Sequence, residues 1–268
     1  MTDPFLADES AGLARVVELA EKRYFSRLTF PEVRRALQAL SDLYVHRRDR
    51  LARAGALDTE GKRSAFGFFY GSLHYALVEQ LVAALGGAAR EVESIVELGC
   101  GTGTPGAAWA LACQPRAKVV AYDIDEWAVR EARWWFGTLG VSGSVQRLDV
   151  SRFDLSRAVG SGAAVTPMGT RALLLAYVLN EVEPRAREHL LRCAKEWVAK
   201  GGVLLVIEPL AKGVAPWWDD WTAAFAGPTA RADEWHFPVR LPDRLRLMDK
   251  AAGLDHRELG ARSLFVRG

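Results

Sequence analysis

The sequence is poor in cysteine, methionine and lysine, and it has no long apolar run. Each shortage closes off a class of protein. The three cysteines, Cys100, Cys113 and Cys193, form no CxxC pair and no cluster with histidine at ligand spacing. Neither a disulfide framework nor a metal site is expected. No apolar stretch approaches the ~18 residues of a membrane span, so no membrane partner is expected. The first ten residues are acidic and lack the basic start of a signal peptide, which makes cytoplasmic residence the expectation. Seven lysines stand against 28 arginines, but the formal net charge is only +2. So weak an excess does not argue for a nucleic-acid binder by itself, and no DNA partner is expected. Internal repeats are also missing.

What is present suits a large globular chain. Of the 268 residues, 50% are hydrophobic and 25% charged, enough for one large domain or a catalytic domain with an appendage. Residues 1–90 read as a helical region for substrate or partner contacts. Leu13, Val16, Val17 and Ala20 recur at helical spacing, a second helical pattern runs from Pro31 to Arg53, and a third covers Leu73 to Leu85 before Gly86-Gly87. From residue 91 to 268 the pattern changes to short apolar runs separated by amphipathic segments. The runs are Ser94–Leu98, Lys118–Tyr122, Ser144–Leu148, Ala172–Val178 and Val203–Ile207. Such alternation predicts βαβ units and an α/β parallel sheet. The connection 209–240 reads as an insertion, and His256–Leu259 and Arg262–Val266 as a closing hairpin turning at Gly260-Ala261.

The sharpest signal is Ile95-Val-Glu-Leu-Gly-Cys-Gly-Thr-Gly-Thr-Pro-Gly106. An apolar strand runs through Gly99, Cys100, Gly101 and Gly103 into a helix start, where the backbone turns tightly and offers free N–H groups. Dinucleotide enzymes use glycines here too, but their spacing is GxGxxG. Here the spacing is GxGxG, and Glu97 precedes it. A carboxylate at that place repels a pyrophosphate but suits a cationic amino-acid group. Asp123 ends the next strand, twenty residues after Gly103. It is placed to accept from ribose hydroxyls, with Ile124 against a base, or simply to cap a helix. Asp149, followed by Val150, ends the third strand and is a candidate acceptor for an adenine amino group.

An acid at the end of three successive strands, beside one glycine loop, resembles the class I S-adenosylmethionine-dependent methyltransferases over about residues 91–268. The resemblance implies a Rossmann-like, seven-stranded, mostly parallel sheet of order 3-2-1-4-5-7-6. It implies S-adenosylmethionine as cofactor and S-adenosylhomocysteine as product. Glu97 and Gly99–Gly103 would face the methionine part, Asp123 the ribose and Asp149 the adenine. The helix around Phe68–Tyr75, the strand end Tyr177-Val-Leu-Asn-Glu181 and Ile207-Glu-Pro209 are together similar to the mitochondrial small-ribosomal-subunit methyltransferase-like family and its bacterial relatives. That similarity implies association with RNA or a ribosomal subunit. This chain has no cysteine after Cys193, so that branch's cysteine cluster is not carried over.

The remaining candidates surround the methyl. Tyr177 is placed to line the cofactor pocket. Asn180 and Glu181 are placed to orient a nucleophile or take its proton, or else to start the next helix. His74 and His236 are further base candidates. Tyr70, Tyr75, Trp217, Trp218, Trp221 and Trp235 suit an aromatic acceptor, or else they pack the core. Arg34, Arg35 and the His46–Arg50 run form either an RNA contact or a solvated helix face. The sequence therefore predicts a methyltransferase acting on a small aromatic or heteroaromatic nucleophile. The alternatives are an rRNA methyltransferase or a non-catalytic cofactor-binding ribosome-assembly factor.

Overall fold

The computed structural model describes residues 4–46, 57–155 and 170–268. Along the chain the helices are α1 (Pro4–Tyr24), α2 (Phe30–His46), α3 (Glu60–Ala65), α4 (Gly71–Leu85) and α5 (Gly87–Arg90). The α/β part begins with β1 (Ser94–Leu98), α6 (Thr104–Ala112), β2 (Lys118–Asp123), α7 (Glu126–Leu139) and β3 (Gly143–Arg147). It continues with β4 (Arg171–Ala176), α8 (Pro184–Ala199), β5 (Val203–Glu208) and α9 (Trp218–Ala224). Last come β6 (Ala230–Pro238), α10 (Asp243–Ala251) and β7 (Glu258–Arg267). The part of the Pro31–Arg53 pattern beyond His46, and with it the rest of the basic run His46–Arg50, lies outside the described residues.

The chain divides into two compact units. One is Met1–Gln80 with His236–Leu259, and the other is Leu81–Trp235 with Gly260–Gly268. In the first, Leu13, Val16 and Val17 of α1 and Val33, Leu37 and Leu40 of α2 are buried, which is the stripe that the 3.6-residue period demands. A π-helical turn, Phe66–Tyr70, is inserted between α3 and α4. Gly67 sits there against the Tyr24 ring, where a side chain would not fit.

The second unit carries the sheet, ordered β3-β2-β1-β4-β5-β7-β6. Strands β1 to β5 pair in parallel, and β7 runs antiparallel to β5. β4 and β5 are buried at every residue, as central strands covered on both faces must be. Trp197 of α8 donates its indole N–H to the Val203 carbonyl at 2.9 Å, tying that helix to β5. At the β3 edge, Arg133 of α7 donates to the Val145 carbonyl at 2.7 and 3.1 Å, occupying an edge acceptor.

The strand order agrees with the expectation, but two of the expected elements do not. Residues 256–266 form no hairpin. Gly260 lies inside the single strand β7, where its missing side chain makes room for Leu210 Cδ1, 2.5 Å from the place a Cβ would occupy. The antiparallel neighbour β6 instead comes from within the stretch read as an insertion.

Candidate cofactor and transfer site

The glycine loop is shaped by close approach. Gly99, Gly101 and Gly103 all have positive φ, at 66°, 53° and 73°. At Gly99 a side chain would also collide with Val178. The loop is held to β2 by the Cys100 N–H donating to the Tyr122 carbonyl at 3.0 Å. Asp123 does the same with its side chain. Its carboxylate accepts from Gly101 N at 2.8 Å and from Asp125 N at 2.9 Å. The carboxylate thus keeps acceptor capacity beyond these backbone donors, as a ribose diol needs. Burial raises the Asp123 carboxyl above the usual range, against the pull of the Asp125, Gly101 and Ile124 N–H groups. Helix α7 is capped by Asp125, which accepts from Ala128 N at 3.0 Å, so capping falls to Asp125 rather than to Asp123.

Glu97 is 1% exposed. One oxygen accepts from Gly106 N at 3.1 Å, while Oε2 has no partner among the described residues. Burial pushes the carboxyl up to about 8, with Asp123 adding to the shift and the Gly106 N–H opposing it. Gly106 has a role that the motif's first three glycines hide: a Cβ there would run into the Glu97 carboxyl. We expect Gly106→Ala to cost about 2–3 kcal/mol in a urea titration, from overpacking and a weakened buried hydrogen bond. Gly137→Ala, on the exposed face of α7 with nothing near the added methyl, should gain about 0.5–1 kcal/mol. Equal effects at the two positions would refute the reading of Gly106.

Ile124 is 56% exposed, an uncovered apolar side chain next to Asp123. With Arg147, Leu148, Asp149 and Arg152 it lines a recess at the ends of β2 and β3. Asp149 accepts from Ser151 N at 2.9 Å and starts the short 3₁₀ turn Val150–Arg152, in which Val150 is buried. The Ser151 contacts hold the Asp149 carboxyl below its usual range.

At the end of β4, Tyr177 continues the ladder by donating its N–H to the Ile207 carbonyl at 2.8 Å, then turns at φ 60°. Such a conformation is costly for a bulky residue and persists only where the surroundings impose it. Burial, with the nearby Glu208 carboxyl, raises the Tyr177 hydroxyl. Two groups fix the turn that follows. Arg187 of α8 donates to the Leu179 carbonyl at 2.8 Å and the Val182 carbonyl at 3.0 Å. Glu208, fully buried at the end of β5, accepts from Leu179 N at 3.1 Å and from Asn180 Nδ2 at 2.6 Å. Helix α8 starts only at Pro184, with Glu183 before it, so Asn180 is not its cap. Glu181 is exposed in the same turn. In the sequence Glu208 carries meaning only within the family resemblance of Ile207-Glu-Pro209. The signal was an acid closing the apolar run Val203–Ile207, a place where a carboxyl needs partners.

The tryptophans of 209–240 divide. Trp217, Trp218 and Trp221 are buried in the core of the second unit, at 7, 9 and 2% exposure. Trp217 and Trp221 meet edge to face at 5.7 Å, and the Arg187 guanidinium lies 5.3 Å from the Trp217 ring centre. Trp235 is half-buried on β6 and donates to Ser263 Oγ at 2.8 Å. In the first unit Tyr75 is buried, and Tyr70 and His74 are half-buried with ring centres 6.2 Å apart. Burial pushes the Tyr70 hydroxyl up to about 12 and His74 down to about 4. His236 is exposed and paired with Glu258 at 2.7 Å. Among the described residues no group of three His, Cys, Asp or Glu side chains is placed to hold a metal, and no helix is long and apolar enough to cross a membrane. His189 and Cys193, one turn apart on α8, do meet at 3.6 Å.

A methyltransferase-domain family matches residues 70–259, well over half of the chain, and the chain belongs to it. The family stands within the class I S-adenosylmethionine-dependent methyltransferases, whose cofactor is S-adenosylmethionine. No curated protein sequence matches significantly. Among solved structures, the mitomycin 7-O-methyltransferase MmcR is 14% identical, with 99% of this chain and 69% of that one covered and a TM-score of 0.48. The plantazolicin methyltransferase BamL is 6% identical over 88% of this chain and 97% of its own, at a TM-score of 0.47. The chain spans only 41% of EvdMO1 and 38% of a Pyrococcus abyssi tRNA (uracil-54, C5)-methyltransferase.

Proposed function

We propose that the chain transfers a methyl group from S-adenosylmethionine to a small aromatic or heteroaromatic nucleophile. The observation that carries the cofactor part is the unfinished bonding of the glycine-loop site. Among the described residues Glu97 Oε2 lacks a partner, Asp123 keeps acceptor capacity beyond its backbone donors, and Ile124 is uncovered. A cationic amino acid, a ribose diol and a flat base would meet these three demands. When bound, S-adenosylmethionine supplies a methyl on a sulfonium, whose C–S bond breaks as the nucleophile's lone pair forms the new bond.

The protein's own work is then positioning and electrostatic match. Glu97 would hold the amino-acid end, Asp123 the ribose, and Ile124 one face of the adenine. Tyr177 and Asn180 would border the transfer region, because Val178 between them packs on Gly99. A small acceptor is favoured by the pairing of surface arginines with acids. Arg231 bonds Asp233 at 2.7 Å, Arg246 bonds Asp243 at 2.8 Å and Arg257 bonds Asp255 at 2.9 Å. Pairs of this kind neutralise the run of positive charge a phosphate backbone requires.

Calorimetric titration with S-adenosylmethionine, S-adenosylhomocysteine and NAD tests the cofactor part. Micromolar binding of the first two and none of NAD is expected. Binding of NAD alone would sink the proposal. Transfer of labelled methyl to ribosomal RNA, and to none of a set of small phenols and anilines, would replace the small-molecule reading with the RNA one.

A further inference from the structure

The turn at the end of β4 holds one side chain whose two ends are chemically different and whose orientation is set by a single neighbour. Asn180 gives its Nδ2 to the Glu208 carboxyl at 2.6 Å. The other carboxyl oxygen takes Leu179 N at 3.1 Å, so Glu208 faces two donors from adjacent residues. A carboxylate meets both at once, with one oxygen at each donor. Asn180 is half-buried, and its Oδ1 makes no hydrogen bond with any described residue. The same turn contains the left-handed Tyr177, packs Val178 on Gly99, and is held from its other side by Arg187. So many restraints on six residues are not needed to end a strand.

We propose that Glu208 is a positioning residue that fixes the Asn180 carboxamide with Oδ1 outward, as the acceptor for an O–H or N–H of the incoming nucleophile. This rests on the proposed methyltransferase function and narrows its acceptor to a hydroxyl or an amine bearing hydrogen. The nucleophile's lone pair forms the new bond to the methyl carbon, the C–S electron pair returns to sulfur, and the proton left on the methylated atom passes to water. Asn180 takes no proton. It holds the O–H or N–H so that the lone pair faces the methyl.

The variant that separates orientation from fold is Glu208→Gln. A glutamine puts an oxygen at one of these two places and an NH2 at the other, so either the Leu179 N–H or the Asn180 amide loses its partner, or Asn180 flips. The readout is the ¹⁵N side-chain amide signal of Asn180 in the full-length protein, assigned by its loss in Asn180→Asp. Wild type should show a slowly exchanging, displaced signal that titrates as Glu208 ionises near pH 8. In Glu208→Gln the displacement and the titration should vanish, while S-adenosylhomocysteine affinity stays within about twofold because the glycine loop is untouched. Should Glu208→Gln fail to fold, the wild-type titration alone decides, since an Asn180 amide indifferent to pH across the whole range in which the protein stays folded has no ionising carboxyl against it. An unchanged amide signal in a folded variant overturns the proposal. Wild-type protein that shows the amide signature but does not bind S-adenosylhomocysteine overturns the methyltransferase reading instead. With acceptors in hand, 4-nitrocatechol methylated and its dimethyl ether inert is the expected pattern, and methylation of thioanisole at sulfur would contradict it.

Discussion

Replacing Asp123 with alanine should weaken S-adenosylhomocysteine binding by about 100-fold, with the fold retained. Two losses combine. The ribose hydroxyls lose a charged acceptor, which is worth about 1.5–3 kcal/mol. The loop loses its side-chain tether as well, because the same carboxylate holds Gly101 N at 2.8 Å and Asp125 N at 2.9 Å. Asp123→Asn should fall between, since the amide keeps one acceptor oxygen where the carboxylate has two. Calorimetry gives the affinity, and far-ultraviolet circular dichroism checks the fold. An affinity unchanged in Asp123→Ala would remove this residue from the cofactor site.

The second large effect is on pH dependence. Glu97 and Glu208 both have folded-state values of about 8, against an ordinary 4.5. An acid raised on folding binds more protons folded than unfolded, so its contribution is complete below about pH 4.5 and is lost as pH rises towards 8. His74, lowered to about 4, works oppositely, giving stability that is present above its ordinary value near 6.5 and lost as pH falls. Above pH 6.5 the two acids still act in this way. The ligand-free protein should therefore lose stability between pH 6.5 and 8, by at most about 3 kcal/mol per unit. Thermal melts across that range test this. A cation beside Glu97 favours its carboxylate, so S-adenosylmethionine should bind more tightly as pH rises through the same window and release a proton. Titrations in two buffers of different ionisation heat count that proton. Glu97→Gln should abolish the release and keep the Glu208 part of the melting slope. A flat melting profile would contradict the burial of both acids.

How much could be read without the structure follows from the kind of signal each element gives. The five parallel strands are short apolar runs between helices, and their positions agree with the structure to within two residues. Gly99, Gly101, Gly103 and Asp123 were legible because a positive φ and a strand-end acid leave marks in the sequence. β6 was not legible. Its residues alternate between half-buried and exposed, with Arg231, Asp233 and Glu234 among them, so an edge strand looked like a polar lid. Gly260 misled for a related reason, since a glycine needed for Leu210 looks like a glycine needed for a turn. The left-handed Tyr177 could not be seen at all, because nothing about tyrosine announces it. Glu208 could have been found by asking what a carboxyl does at the end of a strand buried at every position.

The sheet order also governs when the molecule can be completed. β7 comes after β6 in the chain but lies between β5 and β6 in the sheet. As the chain emerges from the ribosome, β1 to β5 can pair in turn, each beside a strand already made. β6 cannot, because the strand it pairs with, β7, has not yet been synthesised. It must wait, with its backbone donors and acceptors uncovered, through α10 and the residues up to Glu258. Pairing between distant segments is slow, and an uncovered strand is exposed to association meanwhile. The charged residues that made β6 hard to recognise, Arg231, Asp233 and Glu234, then serve a second purpose: they keep a waiting strand soluble until its partner arrives.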